Sequence, residues 1–189
     1  MDQLIINKLS QLEKTVAEFW NIPAESGNLL NIIIKASNYK KIIEVGTSNG
    51  YSTIWLAEAV KQTGGHVTGI EFSLERLKLA EDNLKECGLS EYATIKNGRA
   101  IEILSTLKED ELFDMAFIDA NKGEYIKYYE ILDKKIKPGG LIVADNVISH
   151  KIQVGEFLEA INNNPGYQIS YLPFGGGLLI ALKKVNREV

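Results

Sequence analysis

Lys41-Ile42-Ile43-Glu44-Val45-Gly46-Thr47-Ser48-Asn49-Gly50-Tyr51-Ser52 is the stretch on which the fold turns. Lys41 to Val45 is a short β-rich run, and two glycines follow it before the next helical pattern begins. Reading outward, further strand candidates are His66 to Glu71, Tyr92 to Lys96, Asp114 to Asp119 and Gly140 to Asp145, with amphipathic helical stretches between them. Ser73 is placed to cap the helix that carries Leu74, Leu77 and Leu84, and Gly88 to end it. Strand and helix alternating at this spacing means βαβ units and a parallel α/β sheet. The tail breaks the rule. Tyr167 to Leu172 and Leu178 to Lys183 are joined by Pro173-Phe174-Gly175-Gly176-Gly177, too short for a parallel crossover, so that pair is expected to be antiparallel. Ahead of the sheet, Ile5, Leu9, Leu12, Val16 and Phe19 share one face of an expected helix. Pro23 ends it, and a second helix follows across Leu29, Leu30, Ile33 and Ile34.

The 189 residues suffice for one large core, with 45% hydrophobic and 24% charged residues, an ordinary globular balance. A lone Cys87 excludes an internal disulfide and any multi-cysteine metal site. Two histidines, His66 and His150, exclude a His-rich one. The formal charge of −4 weighs against a nucleic-acid surface. No apolar run approaches a membrane span, and the start lacks the pattern of a secretory leader. A cytoplasmic protein with no membrane partner is therefore expected.

The carboxylates carry more information. Four strand candidates run into an acid: Glu44, Glu71, Asp119 and Asp145. An unpaired acid is costly in a buried parallel strand, and ligands of open α/β sheets bind beyond the strands' carboxyl ends. All four acids are thus expected to line one crevice. The turn after the first strand lets a ligand approach the backbone. It is not the dinucleotide fingerprint, which would need glycine at Ser48. Glu71, at the end of the second strand, is placed to accept both hydroxyls of a ribose. Turn and acid together suit an adenosine-containing ligand, and the acidic Glu44 favours the cationic S-adenosylmethionine over NAD.

These residues resemble a known family. Glu44 to Ser52, then Phe117-Ile118-Asp119-Ala120-Asn121-Lys122, then Pro138-Gly139-Gly140-Leu141-Ile142-Val143-Ala144-Asp145-Asn146-Val147, are similar to the metal-dependent class I O-methyltransferases, which include the caffeoyl-CoA and catechol enzymes and bacterial relatives. The likeness covers roughly residues 22 to 184. It implies a Rossmann-like, seven-stranded, mostly parallel sheet with the last strand antiparallel, an N-terminal helix over 1–21 and a methyltransferase domain over 22–189. It implies that Glu44, Gly46, Gly50, Tyr51, Ser52, Glu71, Gly98, Ala100 and Asp119 hold S-adenosylmethionine. Asp119, Asp145 and Asn146 would bind one divalent cation, and Lys122 would be the base, with Asp119 beside it as the second catalytic residue. Two carboxylates and an amide oxygen form a donor set for a hard ion, Mg²⁺, Ca²⁺ or Mn²⁺. Two adjacent hydroxyls of a small aromatic acceptor would complete the shell.

Relatives often carry a longer N-terminal helix, a longer stretch where 147–165 stands, and an acid where Gly176 stands. Arg99 is unusual beside the adenine. A larger acceptor, such as tRNA bearing a hydroxylated uridine, is the alternative substrate, and a non-catalytic S-adenosylmethionine-binding module is the alternative to an enzyme. Dimers are common in the family, and the apolar first helix could serve a homodimer.

Overall fold

The computed structural model describes residues 1–185. The last four residues of the expected 22–189 unit lie outside the described residues. In chain order the elements are α1 (Gln3–Glu13), α2 (Val16–Phe19), α3 (Ala24–Ala36), β1 (Lys41–Val45), α4 (Tyr51–Thr63), β2 (His66–Glu71), α5 (Leu74–Glu86) and β3 (Ala93–Asn97). They continue as α6 (Ala100–Ser105), β4 (Phe113–Ile118), α7 (Tyr125–Leu132), β5 (Ile136–Ala144), α8 (Gly155–Asn162), β6 (Tyr167–Leu172) and β7 (Leu178–Lys183).

The strands form one seven-stranded sheet in the order β3-β2-β1-β4-β5-β7-β6. β1 to β5 pair in parallel, and β7 runs antiparallel to both β5 and β6. The order reverses between β1 and β4, so a crevice opens beyond their carboxyl ends.

Alternation along each strand sends neighbouring side chains to opposite layers. Ile42 of β1, Phe117 of β4 and Val143 of β5 join the core against α1, α3, α4 and α5, together with Leu9, Leu30, Ile34 and Leu56. Ile43, Ala116 and Ile142 face the other core, against α6, α7 and α8, with Leu104, Tyr125, Leu132 and Phe157. The apolar face of α1, carried by Ile5, Leu9 and Leu12, is spent in this chain's own core.

The single N-terminal helix expected from periodicity is two. Thr15 Oγ1 donates to the Leu12 carbonyl at 2.7 Å, which satisfies an orphan acceptor at the end of α1 and lets the chain turn. Trp20 then closes α2 in a left-handed conformation, φ 52°. Among the described residues no helix is long and apolar enough to cross a membrane.

Candidate active site

The crevice beyond the strand ends is a cavity of about 740 Å³. Its floor is the turn after β1. Gly46 has φ +92°, and a Cβ there would stand 2.1 Å from the Asp119 carbonyl oxygen. The turn is tied to its neighbours: Gly46 N donates to the Ile70 carbonyl at 3.0 Å, and Asp119 N to the Val45 carbonyl at 2.9 Å. Backbone thus touches backbone where β1 hands over to the cavity.

Glu71 stands on the wall, and its two carboxylate oxygens accept from the backbone amides of Ser48 at 2.8 Å and Ser73 at 2.9 Å. Those bonds fix the side chain. A carboxylate has about four lone-pair positions, so acceptor capacity remains for a pair of hydroxyls. Gly98, Arg99 and Ala100 lie on the same wall. Arg99 reaches Glu124 at 3.1 Å and Glu102 at 3.7 Å, and Tyr128 donates to Glu124 at 2.7 Å. Gly50 caps α4 without lining the cavity, and Tyr51 and Ser52 begin the helix. Tyr51 and Ser52 reach the cavity, but their hydroxyls are committed, Tyr51 to Glu13 at 3.0 Å and Ser52 to Glu44 at 2.5 Å.

Glu44 departs from expectation. Its carboxylate is not on the cavity wall but 0% exposed, and it accepts from Ser52 Oγ and, at 2.7 Å, from Thr53 Oγ1. It staples β1 to the first turn of α4. Burial pushes its carboxyl up to about 7; the two hydroxyls hold the rise back, and the charges of Asp119 and Glu71 add to it. A raised acid stabilises the fold fully below its unfolded pKa of 4.5, and this contribution is lost as pH climbs to about 7. Glu44→Gln, which keeps the shape without the charge, is therefore expected to match the parent near pH 4.5. It should exceed it by up to about 3 kcal/mol above pH 7.5. Denaturant melts from pH 4.5 to 8.5 test this; a gap that does not widen with pH would refute it.

Asp119, Lys122, Asp145 and Asn146 gather at the end of β4 and β5. Lys122 Nζ lies 2.6 Å from Asp119 Oδ1 and 2.9 Å from the Tyr125 hydroxyl. That hydroxyl in turn lies 3.1 Å from the Asp145 carbonyl oxygen. Asp145 is 2% exposed, set behind the cavity wall rather than on it, and its Oδ1 has no hydrogen-bond partner. Burial, then the negative charge of Asp119, holds its carboxyl above the ordinary range, opposed by Lys122. Asn146 takes a left-handed φ of 62° and lines the cavity with Asp119.

A buried carboxylate oxygen without a donor, beside a second carboxylate, is a costly arrangement that a cation relieves. With the Asn146 amide the donors are all oxygen, and the set fits a hard divalent ion. Among the described residues no three acidic, histidine or cysteine side chains gather as a metal centre, so the set depends on that amide. Gly176 belongs to the same corner: a Cβ there would stand 2.5 Å from Asn146 Nδ2 and 2.6 Å from Ser149 Oγ. A side chain at 176 would therefore require Asn146 and Ser149 to swing aside.

A profile of the O-methyltransferase family matches residues 2–184. The chain belongs to the O-methyltransferase family. A catechol O-methyltransferase of Niastella koreensis is 36% identical over 150 residues, which are 78% of this chain and 66% of that relative. A caffeoyl-CoA O-methyltransferase of Eucalyptus globulus is 29% identical over 192 residues, 89% of this chain and 78% of the relative. Among solved structures, the O-methyltransferase TomG of Streptomyces achromogenes, in complex with S-adenosylmethionine and involved in tomaymycin synthesis, superposes with a TM-score of 0.86. It is 26% identical, over 98% of this chain and 91% of that one.

Several walls of the methyltransferase's cavity escape a reading of sequence. Phe19, Trp20, Asn21 and Ile22 come from the N-terminal segment, and Arg76 from the first turn of α5. Trp20 stands at the cavity and is 73% exposed. His150, four residues past Asn146, also lines the cavity, with Nδ1 2.9 Å from Ser149 Oγ. Cys87 is buried away from the site, and burial pushes its thiol up to about 11.

Proposed function

We propose that the chain transfers the methyl group of S-adenosylmethionine to one hydroxyl of a vicinal diol on a small aromatic acceptor. A divalent cation would be held by Asp119, Asp145 and Asn146. The observation that carries this reading is the unpartnered, buried Oδ1 of Asp145 beside Asp119 at the edge of the cavity. The catechol and caffeoyl-CoA relatives support the acceptor class.

Each residue has a defined task. Glu71 and the turn at Gly46 hold the cofactor's sugar and chain, and Asp119 and Asn146 present oxygen donors on the acceptor side. Lys122 Nζ, which pairs with Asp119 as the ammonium, is the base once it has lost that proton to solvent: the neutral amine takes the proton from one acceptor hydroxyl. That oxygen then forms its bond to the methyl carbon as the carbon–sulfur bond breaks, leaving S-adenosylhomocysteine, the methyl ether and the proton on Lys122. Tyr125, hydrogen-bonded to Lys122 Nζ, fixes where the amine stands. Near-attack positioning of oxygen, carbon and sulfur supplies much of the barrier reduction. When bound, the cation lowers the pKa of the coordinated hydroxyl and orients it.

The test is turnover of labelled S-adenosylmethionine with a catechol panel and Mg²⁺. EDTA is expected to lower the rate by about 100-fold or more, and excess Mg²⁺ to restore it. Full turnover in EDTA would remove the cation from the reading. Methylation of hydroxylated tRNA in place of every catechol would overturn the acceptor class.

A further inference from the structure

Three Lys or Arg side chains line the cavity: Arg76, Arg99 and Lys122. Two are spent on carboxylates, Lys122 on Asp119 and Arg99 on Glu102 and Glu124. Among the described residues Arg76 has no carboxylate within ion-pair distance and no side-chain hydrogen bond. The nearby acid of the wall, Glu71, is already held by two backbone amides.

Arg76 is nevertheless a placed group. Its backbone amide donates to the capping Ser73 Oγ at 3.3 Å, so its Cα is fixed in the first turn of α5. A cation there runs against the helix dipole, a cost that no ion pair among the described residues offsets. Its guanidinium carbon lies over the rings of Phe19, 5.8 Å from the centroid, and Trp20, 5.7 Å from the centroid. A cation–π contact occupies none of the guanidinium's N–H donors, which can take a carboxylate or phosphate in two parallel bonds.

We propose that Arg76, held by Phe19 and Trp20, receives an anionic oxygen group, a carboxylate or phosphate, of a molecule bound in this cavity. Two sources carry that chemistry: an acidic substituent on the aromatic acceptor, and the carboxylate of the cofactor's methionine part. The proposal rests on the methyl-transfer reading for the identity of these ligands, but not for its test, which reads binding.

The chain has two tryptophans, and Trp55 lies 9% exposed in the core. In a Trp55→Phe background, Trp20 fluorescence reports occupancy of the cavity without turnover. Four probes are titrated: 3,4-dihydroxybenzoate and its neutral carboxamide, and S-adenosylhomocysteine and 5′-methylthioadenosine, which lacks the carboxylate. Arg76→Gln is expected to weaken the acid-bearing member of one pair by about 10- to 100-fold, the range of a lost charge-assisted pair. The neutral partner should move by less than about twofold, and Arg76→Lys should recover part of the loss. Selective loss of the benzoate assigns the site to the acceptor; selective loss of S-adenosylhomocysteine assigns it to the cofactor. If acidic and neutral probes shift equally, or neither shifts, Arg76 only props the N-terminal segment and the proposal falls. A protein that binds these probes selectively but methylates no ring would sink the transfer reading and leave the anion site standing.

Discussion

Asp145→Ala is expected to lower methyl transfer by about 10²- to 10³-fold, the cost of losing one preorganised charge-stabilising group, while the folded protein becomes no less stable. The two halves of that result come from one geometry. Asp145 is 2% exposed, its Oδ1 has no partner, and Asp119 repels it. A structural carboxylate would be paired, and its loss would cost stability. This one keeps an oxygen without a partner, and burial and Asp119 outweigh the help of Lys122 and the Asn146 amide, so its removal relieves desolvation and like-charge repulsion, offsetting the small void left behind. Asp145→Asn separates charge from shape and should also lose activity without losing stability. Calorimetry and single-turnover assays on the same preparations decide it. Turnover within threefold of the parent, or a large drop in melting temperature, would show that Asp145 is scaffold.

The second large effect is at Gly46. Gly46→Ala is expected to cost about 3–5 kcal/mol of stability and to abolish cofactor binding. The added Cβ would stand 2.1 Å from the Asp119 carbonyl oxygen, 2.9 Å from its carbonyl carbon and 3.1 Å from Ala120 Cβ. None of these can swing aside as a flexible side chain would, so either β1 or β4 must move, and Asp119 moves with it. Gly64→Ala is the control. Its φ is +71° with nothing within 4 Å of the new Cβ, so only the left-handed backbone is penalised, about 1 kcal/mol. Equal losses at the two positions would refute the close-contact argument.

Most of the sheet was legible because buried parallel strands are apolar runs with punctuation at both ends. Tyr167–Leu172 and Leu178–Lys183 stand where the pattern put them, and the five-residue connection correctly demanded an antiparallel pair. Ser73 caps α5 as read, accepting from Arg76 N. β5 begins earlier than the expected Gly140, at Ile136, because Ile136 pairs with Phe113 of β4 across a register shift that spacing along one strand does not reveal. The long first helix failed for a similar reason: periodicity records which residues share a face, not the Thr15 hydroxyl that ends α1.

The acids show the same limit at the site. All four fall at or next to strand ends, but only Glu71 and Asp119 reach the cavity wall. Glu44 turns toward Ser52 and Thr53, eight and nine residues further on, a pairing visible only once α4 is docked. Arg76 left no trace in spacing or motif, because its aromatic partners lie more than fifty positions away, in Phe19 and Trp20.

The sheet order has a consequence for how the chain comes off the ribosome. β6 is made before β7, yet β7 is its neighbour in the sheet and lies between it and β5. Until Leu178–Lys183 has been synthesised, Tyr167–Leu172 has no ladder to join, and β5 offers a bare row of peptide groups from Leu141 to Ala144. A nascent or prematurely terminated chain stopping near Leu172 therefore carries an open adhesive edge, which only the arrival of Leu178–Lys183 closes.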